Sequence, residues 1–147
     1  MRLCAFVFAG MIGFAAAASA QPASPDDYVW ASACKDCHAA IYKSWDQTKH
    51  ARTITRLSEA ERAGSCAACH VTVGDRLFEN GVNANVQCER CHGAGKAHVA
   101  AAASGAAKPG AIAGKPAESV CVSCHSEKSP HFKFFSYAAL AGLVHPK

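Results

Sequence analysis

The chain has 147 residues, a formal net charge of +4 at pH 7 and nine cysteines, and half of its residues are nominally hydrophobic. This length favours one domain with a removable leader. After position 20, Val, Leu, Ile and Phe make up only 20 of 127 residues, below the roughly one fifth that usually accompanies an ordinary packed core. Composition therefore nearly excludes an interior built from side chains alone.

Residues 1–20 have the pattern of a secretory signal peptide. Arg2 precedes an apolar run that is too short for a good membrane span, and Ala18-Ser19-Ala20 is typical of a cleavage site. We expect cleavage after Ala20 and export to the periplasm, which leaves residues 21–147 as one domain without a membrane span. Cleavage removes Cys4 and both methionines, so the mature chain has eight cysteines and no methionine.

The first half of the mature chain has one clear helical pattern. Apolar residues recur at helical spacing within 34–57, with Ile41 and Trp45 four residues apart. This pattern predicts a helix with His50 on it or just after it, and with Trp45 one turn back. Short alternation and turn residues within 71–87 predict a small hairpin.

The second half alternates between weak and strong patterns. Glycines at 93 and 95 permit close backbone approach after the third cysteine motif. Residues 99–119 are rich in Ala, Gly, Pro and Lys, which predicts a loop or a short Ala helix followed by a linker. The apolar tail predicts a closing helix with His145 at its C-terminal end.

The eight mature cysteines form four Cys-x-x-Cys-His motifs. This is the spacing of covalent haem c attachment, in which two thiols form thioethers with the haem and the adjacent histidine binds its iron. The motifs are Cys34–Cys37–His38, Cys66–Cys69–His70, Cys88–Cys91–His92 and Cys121–Cys124–His125. One such motif alone is equally compatible with half a zinc site or a redox dithiol. Four of four, with no mature cysteine left over, predict four haem c groups.

The remaining histidines predict the second axial ligands. Methionine ligation is excluded because the mature chain has no methionine, and histidine is the usual alternative. Four histidines remain for four irons: His50, His98, His131 and His145. His131 is the weakest candidate, since it follows His125 by only six residues in a Ser-Pro turn. If one of the four is not a ligand, one iron has an open coordination position.

The flanking residues resemble multihaem cytochromes c of the cytochrome c-554 type. The resemblance is carried by Trp45 followed by His50-Ala51, by His92-Gly-Ala-Gly-x-x-His98, by Ser129-Pro130-x-Phe132, and by the closing Leu143-Val144-His145-Pro146. It implies a mainly α fold with little β structure, in which short helices and loops pack around four covalent haems.

The same resemblance implies which histidines complete each iron. It assigns His98 to the first haem, His145 to the third and His50 to the fourth, while some relatives leave the second haem five-coordinate. This chain departs from the family pattern because it is shorter than the best-known carriers and offers His131 as an additional candidate.

The leading functional hypothesis is a periplasmic one-electron carrier between a redox protein donor and acceptor, with mostly bis-histidine haems. Two alternatives stay open: a small reductase acting on NO, hydroxylamine or a related molecule at one five-coordinate haem, and a haem module of a larger respiratory complex. Nucleic acid is not expected as a partner, because each haem adds about two propionates that offset the basic charge.

Overall fold

The computed structural model describes residues 23–73, 84–107, 110, 112 and 114–145. The predicted signal peptide and the turn of the predicted hairpin lie outside the described residues. The α-helices in the described part are α1 Trp30–Lys35, α2 Ala39–Asp46, α3 Glu59–Arg62, α4 Ala67–His70, α5 Cys88–His92, α6 Lys96–Ala103, α7 Glu118–Val122 and α8 Tyr137–Leu140. Single 3-10 turns occupy Pro25–Asp27, His50–Arg52, Ile54–Arg56 and Ala141–Leu143.

The mainly α fold predicted from the sequence is confirmed. Extended pairing in the described residues is limited to isolated bridges that join Val71 to Ala84 and Asn85. These bridges connect the two ends of the segment in which a hairpin was predicted. The helices are short, and several of them begin or end within a cysteine motif.

The predicted helix over 34–57 is interrupted. Helix α2 ends at Asp46, and the chain continues to residue 56 as 3-10 turns. Threonine side chains contribute to this change, since the Thr48 hydroxyl donates to the Trp45 carbonyl and the Thr53 hydroxyl to the His70 carbonyl. Such side-chain bonds compete with regular helix hydrogen bonding. His50 therefore lies in a separate turn, four residues beyond the end of α2.

The interior of the described residues is small. One apolar cluster joins the turn after His50 to α4 and to the bridge region, and it consists of Ile54, Leu57, Ala67, Val71 and Ala84. Beside it, the Trp45 ring is buried and its Nε1 donates to the Val86 carbonyl at 3.0 Å. This bond fixes α2 against the segment that leads into the third motif.

The structure has a short helix followed by irregular chain in the region of residues 99–119, and a short helix in the tail where a closing helix is predicted. Helix α6 covers the start of the loop and ends at Ala103, and irregular chain leads from there to α7. The tail forms α8 and a final 3-10 turn, and His145 lies just beyond that turn. Within the described ranges, no helix has the length and apolar character needed to cross a membrane.

Candidate haem-binding site

Each cysteine motif lies on or next to a short helix. The second and third motifs coincide with α4 and α5, the first runs from α1 to the start of α2, and the fourth begins in α7 and continues past it. In a helical turn, positions i, i+3 and i+4 share one face. The spacing Cys-x-x-Cys-His therefore directs both sulfurs and the imidazole of a helical motif to the same side. That arrangement suits attachment of one flat group per motif.

Three of the four motif histidines face a second histidine from a remote part of the chain. The ring centroids of His38 and His98 are 6.4 Å apart, and those of His92 and His145 are 6.0 Å apart, with 21° between the planes in both pairs. The centroids of His50 and His125 are 6.0 Å apart, with an interplanar angle of 74°. These are the pairings that the resemblance implied.

The spacing of these pairs can be compared with that of two imidazoles on one metal ion. An imidazole nitrogen binds a metal at about 2 Å, and the ring centroid lies a little over 1 Å further out. Two imidazoles on opposite sides of one ion therefore have centroids about 6 Å apart. Direct stacking of two rings in van der Waals contact allows a closer approach, so the pairs leave room for an ion between them.

A buried polar atom in the first pair also fits a metal ligand. Nδ1 of His98 is shielded from solvent and has no hydrogen-bond partner in the structure. Buried polar groups are normally satisfied, and an exception requires an explanation such as an ion that is bound there. The donor set of the pair, two neutral nitrogens, is the set that a bis-histidine haem uses.

His70, in the second motif, is arranged differently. Its Nδ1 lies 3.0 Å from the carbonyl oxygen of Thr53, an interaction in which Nδ1–H donates. This bond orients the ring and leaves Nε2 as the nitrogen available to a metal, as outer hydrogen bonds commonly do for metal-binding histidines. Among the described residues, no aromatic ring lies opposite His70 at the spacing of the three pairs. His131 is exposed and is not part of any of these pairs.

Thiols of different motifs are in contact. A hydrogen bond between Cys34 and Cys88 lowers the pKa of the Cys34 thiol and raises that of Cys88. Burial raises the pKa of Cys69 to about 11, with a further contribution from a hydrogen bond to Cys124. The first motif thus lies near the third, and the second near the fourth.

Arg90 lies between three of the motifs. Its guanidinium donates to the Ala68 carbonyl at 3.2 Å and to the sulfur of Cys124 at 3.6 Å. Burial raises the pKa of Cys124, but hydrogen bonds with Cys69, Arg90 and Ser123 outweigh it and lower the value overall. Arg90 therefore supplies a positive charge where the second, third and fourth motifs converge.

A cleft opens beside the pair His50 and His125. It encloses about 560 Å³ free of protein atoms, counting its opening to solvent. The Phe135 ring covers one side of His125, with centroids 4.8 Å apart and planes 17° apart. Burial, followed by the neighbouring His125, lowers the pKa of His50 and favours the neutral imidazole that binds metals. The remaining lining is largely apolar, as a haem site requires.

The third motif contains contacts that sequence patterns did not indicate. Glu89, between its two cysteines, is 2% exposed, and its carboxylate accepts three backbone N–H bonds. Gln87, just before the motif, is also buried. Both interact with residues near position 30, so no local pattern could have identified them. The role of Thr53 in orienting His70 could not be predicted from a local pattern either, because Thr53 lies 17 positions earlier in the chain.

Comparison with known proteins gives one match. Residues 33–93 match the model of the family described as cytochrome c554 and c-prime. The matched stretch contains the first three cysteine motifs and His50. No curated protein and no solved structure matches the chain.

Proposed function

We propose that this chain, whose residues 33–93 belong to the cytochrome c554 and c-prime family, is a periplasmic tetrahaem electron carrier. The family match supports a c-type cytochrome electron carrier with covalent haem c. The number of haems, the periplasmic location and the iron ligands are not given by the family match and are part of the proposal. The single observation that best supports bis-histidine haem sites is the set of three histidine pairs at 6.0–6.4 Å, each containing one motif histidine.

Twelve motif residues would hold the four haems. The cysteines provide the covalent anchors: Cys34, Cys37, Cys66, Cys69, Cys88, Cys91, Cys121 and Cys124. The proximal ligands would be His38, His70, His92 and His125. Opposite three of them, His98, His145 and His50 would complete the first, third and fourth sites. When bound, the haem iron accepts and releases one electron at a time, at a potential that all-nitrogen ligation keeps low.

Contacts between motifs support electron transfer across the whole chain. Cys34 and Cys88 are close enough for each to shift the pKa of the other, which makes the first and third attachment points neighbours. Cys69 touches Cys124, which does the same for the second and fourth. Arg90, in the third motif, contacts Cys124 of the fourth. No attachment point is isolated from the others, so an electron that enters at one site has a close neighbour to reach.

The proposed carrier exchanges electrons with a protein donor and a protein acceptor outside the cytoplasm. Export follows from the signal-like sequence of residues 1–20 and agrees with haem c attachment, which takes place outside the cytoplasm, where unattached thiols would form disulfides. At the second haem site, the ring of the proposed ligand His70 is oriented by its hydrogen bond to the Thr53 carbonyl.

A reductase acting on NO or hydroxylamine is the second candidate function. It is favoured by one observation, namely that among the described residues no histidine ring stands opposite His70 as one does in the three pairs. The fourth spare histidine, His131, helps to lower the pKa of Glu61, and His70 makes a contribution of the same kind. An iron held by His70 alone would have room for a small ligand.

One experiment separates the two functions. We expect the ferric protein to have three low-spin haems and one high-spin haem that binds NO without turnover, because in the described part of the chain the His70 ring is hydrogen-bonded to a backbone carbonyl and to no acidic or basic side chain. The measurement is electron paramagnetic resonance with and without NO, followed by NO and hydroxylamine consumption under excess reductant. Consumption well beyond the haem concentration would contradict the carrier and support the reductase. Four low-spin haems whose spectra do not change when NO is added would exclude the reductase.

A further inference from the structure

The most buried polar side chain of the described residues belongs to the third cysteine motif but holds the first. Glu89 lies between Cys88 and Cys91, and its two carboxylate oxygens point away from its own motif toward residues near position 30. Oε1 accepts from the Val29 N–H at 2.9 Å, and Oε2 accepts from the Trp30 N–H at 2.7 Å. A buried carboxylate with these partners is costly unless each bond is kept.

The backbone around Trp30 is shaped to bind this carboxylate. Val29 is in the right-handed helical region, and Trp30 has φ +67°. Consecutive right- and left-handed residues turn successive N–H groups toward one point and form an anion-binding concavity. A bulky residue with positive φ is strained and persists only where its surroundings require it. The next N–H, that of Ala31, donates to the Gln87 side chain at 2.7 Å.

The same carboxylate also holds the distal side of the first pair. Oε1 of Glu89 accepts a second bond, from the Gly95 N–H at 2.7 Å. Gly95 is the residue before α6, and His98 lies in the first turn of that helix. On the other side, Trp30 begins α1, which contains Cys34 and leads to His38. One side chain therefore ties together the helix that precedes His38 and the helix that carries His98.

We propose that Glu89 is a positioning residue for the first haem: its carboxylate holds His38 and His98 facing each other, as the two residues that would bind that haem, and places a negative charge beside the site. This inference rests on the proposed function, since it assumes that these two histidines bind a haem. The charge lies near both motifs: it adds to the rise in the pKa of Cys88, and it opposes, without reversing, the lowering of the pKa of Cys34 by its hydrogen bond with Cys88. A nearby negative charge stabilises the ferric state over the ferrous state, so Glu89 lowers the reduction potential of the first haem.

The test is Glu89→Gln in the holoprotein, followed by a potentiometric titration and electron paramagnetic resonance. Glu59→Gln is the matched control, because it makes the same chemical change at an exposed position in α3. We expect Glu89→Gln to shift one component of the titration upward and to convert part of one low-spin signal to high-spin. The affected haem should be the one that His98→Ala also alters. A general loss of stability would alter all components of the titration together and would leave no single haem selectively changed.

A second variant keeps the proposal testable if Glu89→Gln does not accumulate. A Cβ at Gly95 would lie 3.1 Å from Oε1 of Glu89 and 3.2 Å from Cγ2 of Val29. Gly95→Ala keeps the Glu89 charge but crowds its carboxylate and so disturbs its hydrogen bond to the residue 95 N–H. We therefore expect a spin change at the first haem. Gly114→Ala, where a Cβ meets nothing within 4 Å, is the control and should have no effect.

Two outcomes are distinguishable from each other. If wild-type protein carries four haems with low-spin pairs, but Glu89→Gln and Gly95→Ala both match their controls, the role of Glu89 is refuted and the proposed function stands. If wild-type protein lacks a low-spin haem that His98→Ala alters, the proposed ligand set fails and the role of Glu89 fails with it.

Discussion

Without haem attachment, the chain is expected to lose its cooperative thermal transition and to be digested rapidly by protease. The buried apolar residues of the described part are few, and three of the eight are alanines. A core of that size cannot offset the conformational entropy lost on folding, which amounts to about 1–2 kcal/mol per ordered residue for the backbone alone. The haems themselves would have to supply the missing buried surface.

The apoprotein is obtained by replacing all eight mature cysteines with serine. Far-ultraviolet circular dichroism and limited proteolysis compare it with the holoprotein. We expect loss of most helical signal and complete digestion under conditions that leave the holoprotein intact. A helical, protease-resistant apoprotein would refute the dependence of folding on haem, because it would require a core that the side chains provide alone.

His98→Ala is expected to convert one low-spin haem of the holoprotein to a high-spin form that binds CO when reduced. His98 lies opposite His38 at 6.4 Å, and its buried Nδ1 has no partner in the chain. Removing one of two axial nitrogens weakens the ligand field and opens a coordination position. Absorption and electron paramagnetic resonance spectra measure the change, and its size should equal one haem per chain.

His131→Ala is the matched control for this substitution. His131 is also a spare histidine, but it is exposed and takes no part in the three pairs. Its replacement should leave the spin states unchanged. If His98→Ala keeps the wild-type spectrum, or if His131→Ala produces the high-spin signal instead, the ligand assignment from ring geometry is wrong.

The cysteine motifs and the histidine count made the candidate site predictable from sequence. Both are local or compositional features, since spacing within a motif and the absence of mature methionine need no knowledge of the fold. The partners of His38, His92 and His125 came from the family resemblance, because each pair joins positions 53 to 75 residues apart. In the structure, the rings of the same partners have their centroids 6.0–6.4 Å apart.

What the sequence did not predict depends on contacts between distant segments. Glu89 has the sequence context of a solvent-exposed residue, and its burial arises only when the backbone at Val29 and Trp30 turns its N–H groups toward it. The helical pattern after the first motif continues beyond the end of α2 at Asp46, where the chain forms 3-10 turns for a related reason. Thr53 bonds to the carbonyl of His70, and a local periodicity analysis cannot include that partner.

The central claim is that four haems are attached to one chain, and the intact mass of the exported protein tests it most directly. The account predicts the mass of residues 21–147 plus four haem groups, all of which remain after denaturation because the bonds are covalent. Replacing both cysteines of one motif should remove one haem. A mass with fewer than four haems in fully matured protein would contradict the account, since one Cys-x-x-Cys-His motif would then serve another purpose.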